Sequence, residues 1–241
     1  MHYRRFHAWT VSPARARAIQ QKLRSLVLRD GALATLRAVA GADVAYLESE
    51  GVTCAAVVVM GVPGFEVIET VTAESQTRFP YVPGLLSFRE APVLLKAFQK
   101  VRSTPDALIV DGQGYAHPRR FGLASHLGLL LDLPTVGCAK SLLVGDYDEP
   151  GWQAGASSPL IHRGEVVGCA LRTRERVKPV YVSVGHRLSL NAAQTLVLQC
   201  VKRYRLPEPV RHAHHLVSEY RRQVKERLGA ARGLLPNRER D

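Results

Sequence analysis

The run Ala107-Leu108-Ile109-Val110 is apolar without a break, and it then stops in Asp111-Gly112-Gln113-Gly114. A strand with one wet face would alternate polar and apolar residues, and this one does not. It reads as a central strand buried on both faces, which calls for a sheet with helices packed against it. Strand ends in open α/β sheets are where ligands sit, so Asp111 is a candidate metal ligand or acid–base group. Asp-Gly is also an ordinary turn pair, and the rest of the chain has to decide between the two.

Upstream, Ser12-Pro13 predicts an N-cap and first-turn proline, with Ile19, Leu23, Leu26 and Val27 on one helical stripe that ends before Gly31. Three strand-like stretches follow, Ala38 to Leu47, Val52 to Met60 and Phe65 to Ala73, joined by short turns that make them antiparallel neighbours. After a proline-rich loop, residues 87–102 predict a helix with Val93, Leu94, Ala97, Phe98 and Val101 inward. Beyond Asp111 come a helix from about Phe121 to Leu131 and a short strand from Val136 to Cys138. A late strand pair, Glu165 to Leu171 and Pro179 to Val184, precedes closing helices over 190–204 and 210–228. This order predicts one mixed α/β sheet with flanking helices in a single catalytic domain spanning 1–241. The tail from about residue 229 reads as disordered.

The charge is unevenly placed. Residues 1–40 carry eight Lys/Arg against one acid and residues 201–241 carry eleven against five, so the two terminal segments hold the whole basic excess and the middle of the chain sums to −1. Such a distribution suits a polyanion such as nucleic acid, and equally suits a pair of solvated, arginine-rich helices. The apolar runs are too short to span a bilayer, and the N-terminal stretch lacks the apolar core of a signal peptide, so a cytoplasmic protein is expected. Cys54, Cys138, Cys169 and Cys200 each sit in an apolar run with no CxxC pair, which predicts buried free thiols rather than a zinc site.

Asp43 interrupts the first strand in "AVAGADVAYL", where a carboxylate is disfavoured by propensity and costly if buried alone. Two strand carboxylates side by side repel each other unless a cation lies between them, and hard oxygen ligands suit Mg²⁺. Glu90 has two readings. In "SFRE" it completes a capping box with Ser87 as N-cap, or it carries a third carboxylate toward the metal from the helix start.

The motifs "AGADVAY", "YVPGLLSFREAP", "VDGQGYAHPRRFGLASHLG", "PTVGCAKSLLVG" and "RLPEPVRHAH", in this order from about residue 14 to residue 228, closely resemble endonuclease V, the metal-dependent nuclease of deaminated purines. The resemblance implies a ribonuclease-H-like fold, with Asp43 and Asp111 as metal ligands and Glu90 as the third active-site carboxylate. His214 matches a position near the metal, though it also reads as a surface histidine beside His212 and His215. Lys140 follows an apolar strand end, where its ammonium could meet phosphate. Gly112 and Gly114 would let the backbone approach an extruded base. The resemblance extends that base pocket to Gly84, Leu86 and His117, with Ser141 and Leu143 on the far wall. His117, before Pro118, could otherwise be an ordinary loop histidine. Pro80-Tyr81-Val82-Pro83 reproduces a wedge motif whose ring fills the gap left by a flipped nucleotide, and ordinary loop packing is the alternative. Cys138 stands where an aliphatic residue is more usual.

The expected activity is therefore hydrolysis of the second phosphodiester 3′ to inosine in DNA or RNA, by a monomer using Mg²⁺, with Mn²⁺ able to substitute. A nuclease of the same superfamily without base specificity would keep the carboxylates but need no wedge. A non-catalytic nucleic-acid-binding protein would need only the basic helices.

Overall fold

The computed structural model describes residues 1–233, and their side chains as far as residue 230. In chain order the elements are α1 (Pro13–Leu23), β1 (Ala38–Leu47), β2 (Val52–Gly61), β3 (Val67–Gln76), α2 (Leu86–Phe98), β4 (Ala107–Val110), α3 (Leu123–Leu131), β5 (Thr135–Ala139), β6 (Ser157–His162), β7 (Glu165–Leu171), β8 (Val180–His186), α4 (Leu190–Gln199) and α5 (Glu208–Gly233). The eight strands form one sheet in the order β3-β2-β1-β4-β5-β8-β7-β6. The β1–β4 and β4–β5 pairs are parallel and the other pairs antiparallel, so the expected mixed sheet is present.

Side-chain alternation sorts the sheet into two layers. Ala40, Ala42, Leu108 and Val110 pack with α2 and α3 on one face. Val39, Ile109, Val136 and Val182 pack with α4 and the start of α5 on the other. All four β4 residues are buried, as an unbroken apolar strand requires. Helix α5 lies so close to β1 that a Cβ at Gly41 would run into the Pro209 backbone. The four cysteines are buried and free.

Several expectations need correction. The capping box does not form. Helix α2 begins one residue early, at Leu86, its N-cap Leu85 makes no side-chain cap, and the Ser87 hydroxyl turns inward to His126 Nδ1 at 3.1 Å. Strand β6 was not foreseen, because "SSPLIH" is an edge strand in which only Leu160 is buried. The third strand begins two residues later and ends three residues later than expected, and α4 stops at Gln199 rather than continuing to 204. Ile19, Leu23 and Val27 are buried as predicted, but Leu26 falls in a 3₁₀ turn and is 45% exposed. Helix α5 continues through Gly233, so a disordered tail does not begin at 229; residues 234–241 lie outside the described residues.

Candidate active site

The register of the parallel strands brings the acids together. The last β1–β4 pair is Ala42 with Val110, and the residues that follow are Asp43 and Asp111. Both share the face of Val39 and Ile109, so the two carboxylates stand side by side under the start of α5. Helix α5 supplies His214, whose Nδ1 lies 2.8 Å from Asp43 Oδ2. Asp43 Oδ1 accepts the Val44 amide at 2.8 Å. Burial raises the Asp43 carboxyl above its usual range, and the neighbouring charge of Asp111 raises it further. Lys140 follows β5 on the same face, and its Nζ pairs with Asp111 Oδ2 at 2.5 Å.

Glu90 comes from the opposite layer. It is only 8% exposed, and its Oε1 accepts the Tyr46 hydroxyl at 2.7 Å, while the Arg89 guanidinium covers the Tyr46 ring at 4.4 Å. Burial pushes the Glu90 carboxyl up to about 8; the Tyr46 hydrogen bond opposes this, and the charges of Asp43 and Asp111 add to it. Tyr46 was missed from the sequence. It stands three residues after Asp43, which in a strand puts it on the other face and within reach of α2.

Each acid therefore holds its own partner: Asp43 has His214, Asp111 has Lys140 and Glu90 has Tyr46. Among the described residues no three His, Cys, Asp or Glu side chains are placed together to hold a metal ion. The donor chemistry nevertheless fits a hard cation. Two adjacent carboxylates that repel each other are the groups a divalent ion would relieve, and Lys140 supplies a positive charge at the same place.

Beside the acids is a small, largely apolar cavity of about 150 Å³. Tyr81, Gly84, Leu86, His117 and Leu143 all line it. Tyr81 stands 71% exposed at its rim. Gly84 is held in the left-handed region at φ 74°. Its carbonyl accepts from Arg119 Nη2 at 2.6 Å, from His117 Nε2 at 2.9 Å and from Gln20 Nε2 at 3.0 Å. His117 Nδ1 accepts the Arg119 amide at 3.1 Å, so the neutral ring must donate through Nε2. Burial, reinforced by the Arg119 charge, lowers His117 to about 4 and keeps it neutral. Nε2 is thus spent on holding Gly84 of the Tyr81–Gly84 loop, and Nδ1 on the Arg119 amide of its own loop.

Three predicted pocket residues are not among those lining the cavity. A Cβ at Gly114 would strike the Val184 carbonyl, and the Gly114 amide donates to Ser183 Oγ at 2.9 Å, so this glycine seats the loop against β8. A Cβ at Gly112 would meet the Leu123 side chain at ordinary contact distance, so this position does not require glycine for space. The Ser141 carbonyl accepts Gln113 Nε2 at 3.0 Å. Gln113 itself lines the cavity, and its Oε1 is buried without a hydrogen-bond partner. Nothing in the sequence singled it out, since glutamine in a Gly-x-Gly loop carries no periodic signal.

The sequence profile of the endonuclease V family matches residues 20–215. An endonuclease V of Roseiflexus sp. strain RS-1 is 54% identical over 213 residues, covering 88% of this chain and 95% of the relative. The crystal structure of endonuclease V from Streptomyces avermitilis superposes with a TM-score of 0.86 at 43% identity, covering 95% of this chain and all of the other. A Ciona intestinalis endonuclease V, 29% identical with a TM-score of 0.79 over 88% of this chain and 98% of its own, was crystallised with a DNA 24mer containing an inosine followed by a ribo-adenosine. Profile, sequence and fold agree over most of the chain, and the acid pair lies inside the matched region. The chain belongs to the endonuclease V family and is a nuclease, a hydrolase of nucleic acid.

Proposed function

We propose that this nuclease recognises inosine in a nucleic acid strand, DNA or RNA, and cuts the second phosphodiester on its 3′ side in a reaction dependent on Mg²⁺, with Mn²⁺ as a substitute. It works as a monomeric, single-domain cytoplasmic enzyme, and no described helix is long and apolar enough to cross a membrane. The observation that carries this reading is that one loop serves both sites. Asp111 opens the loop beside Asp43, and Gln113 and His117 place the same loop in the cavity. The inosine-containing DNA bound by the Ciona intestinalis relative supports the choice of base.

Asp43 and Asp111 would hold the cation, which when bound supplies Lewis-acid polarisation of the scissile phosphate and a more acidic water. His214 spends Nδ1 on Asp43, and an ionised carboxylate can only accept, so Nε2 carries the lone pair. That lone pair can take a proton from an attacking water. Glu90 orients the water from the other layer, and Lys140 offsets charge developing on the phosphate. In the cavity, the free Gln113 Oε1 and nearby backbone groups read the base. Hypoxanthine offers an N1–H donor, whereas adenine offers a lone pair there and would leave a buried acceptor unpaired. Parallel assays of inosine and adenine strands in Mg²⁺ test this directly; equal cutting of both would leave a nuclease without base specificity.

Tyr81 provides a sharper test. Its exposed ring offers a flat face for the gap left by the extruded base, and the hydroxyl plays no part in that. Tyr81→Phe should keep inosine affinity, whereas Tyr81→Ala should lose roughly 1–3 kcal/mol of it. The deficit should shrink where the inosine is already unpaired, because extrusion costs least there. Binding measured in Ca²⁺ on paired and single-stranded substrates checks both statements. Parental affinity in Tyr81→Ala would reduce the loop to packing.

The basic terminal segments give a second measurable expectation. Arg221, Arg222 and Lys225 lie on the outer part of α5, where Arg227 is already paired with Glu74. If these cations meet phosphates, affinity for undamaged strands should fall steeply and linearly in log salt. A flat dependence would make them a solvated face.

A further inference from the structure

A second concavity, of about 540 Å³, lies beyond the base cavity along the same loop. Arg24, Arg29, Arg120 and Arg163 surround it, and the acid among its lining residues is Glu165. Glu165 accepts from the Tyr115 hydroxyl at 2.6 Å, from Arg120 Nε at 2.8 Å and from Arg29 Nη1 at 3.3 Å. Arg29 also lies over the Tyr115 ring at 4.0 Å. One carboxylate against four guanidinium groups leaves a strongly positive groove, and no described carboxylate is paired with Arg24 or Arg163. The floor is rigid. Arg120 is 8% exposed, and its Nη1 donates to the His117 carbonyl at 3.0 Å. His117 in turn fastens Gly84 of the base cavity.

Along this loop Asp111 joins the acid pair, Gln113 and His117 line the base cavity, and Tyr115, Pro118 and Arg120 line the groove, which thus adjoins the cavity and does not include the acids. A strand cut on the 3′ side of the recognised base must run from the cavity toward the acids in its 3′ direction. Its 5′ side must then leave the cavity the other way. We infer that the arginine groove holds the phosphodiester backbone of the substrate strand on the 5′ side of the recognised base. This rests on the cutting polarity proposed above. Rigid, stacked guanidinium groups suit phosphate oxygens, and the mostly exposed Arg24 and Arg163 can reach them without breaking the Glu165 network.

The test uses Arg24→Gln/Arg163→Gln, which removes two charges and no ion pair of the fold. Binding is measured in Ca²⁺ to inosine single strands carrying ten nucleotides on the 5′ side only, on the 3′ side only, or on both. The variant should bind the 5′-flanked strands about tenfold more weakly at low salt, with a salt slope smaller by about 1.4 for the two lost phosphate contacts. It should bind the strand flanked only on the 3′ side as the parent does. Equal binding by parent and variant on every strand would overturn the inference, as would a loss confined to the 3′-flanked strand. The parent's preference for inosine over adenine in the same strands reports on the base reading by itself. If that preference is absent, the change in salt slope on undamaged strands still decides whether the groove takes phosphate.

Discussion

Asp43→Ala and Asp111→Ala should each slow cutting by at least about a thousandfold, or about 4 kcal/mol of transition-state stabilisation, while leaving a folded protein. Asp43 lies within β1 just past its last pairing with β4, Asp111 directly follows β4, and Asp43 is held above its usual range by burial and by Asp111. Removing either acid relieves that repulsion, which offsets the bonds to His214 or Lys140 that are lost. The melting temperature in chelator should therefore change little. In Mg²⁺ the parent should melt higher than in chelator, because an ion that binds only the folded state stabilises it by mass action. Neither variant should show that rise. Single-turnover nicking and paired melting curves measure both quantities. A variant that cuts at near-parental rate in Mg²⁺, or that keeps the full Mg²⁺-dependent rise, would remove that residue from the ion site.

How far the sequence could be read depended on whether a signal was local. The unbroken apolar run of β4 and the aspartate interrupting β1 were legible because each is a contrast within a few residues. Their adjacency follows from parallel register, so the acid pair was legible too. Glu90 had two local readings, and the one that failed was the capping box. It failed because Ser87 is buried against His126 of α3, thirty-nine residues away. His126 also meets His7 Nε2 at 2.8 Å, a contact spanning 119 residues that no pattern announces. Edge strand β6 was invisible for a different reason: with one buried residue it has no periodicity to detect. The base cavity was located by motif resemblance, but the motif did not say which groups in it remain free. Both His117 nitrogens turned out to be occupied and Gln113 Oε1 to be unpaired, and only packing between segments distant in the chain decides that.

Glu90 makes the protein's stability depend on pH in a direction opposite to that of most carboxylates. Its folded-state value is pushed up to about 8, chiefly by burial, while an unfolded chain would ionise it near 4.5. Between those two values the folded protein keeps a proton that the unfolded chain has lost, so unfolding releases it. Stability without metal should therefore fall as pH rises from about 4.5 to about 8, by up to a few kcal/mol in all. Below that window Glu90 contributes no pH dependence. Glu90→Gln keeps the shape and an oxygen for the Tyr46 hydroxyl but cannot ionise, so the component should vanish. The variant should equal the parent near pH 4.5 and melt higher than it at pH 8. Tyr46→Phe should steepen the parental fall, because the hydrogen bond it removes favours the ionised carboxylate. Activity should move the other way. Glu90→Gln should cut roughly tenfold or more slowly, since an amide holds and orients the attacking water less strongly than a carboxylate. Melting curves in chelator from pH 4.5 to 8.5, set beside single-turnover nicking in Mg²⁺, separate the two effects. If parent and Glu90→Gln lose stability in parallel across that range, the buried carboxyl is not the group responsible. If Glu90→Gln also cuts at the parental rate, Glu90 takes no part in the chemistry.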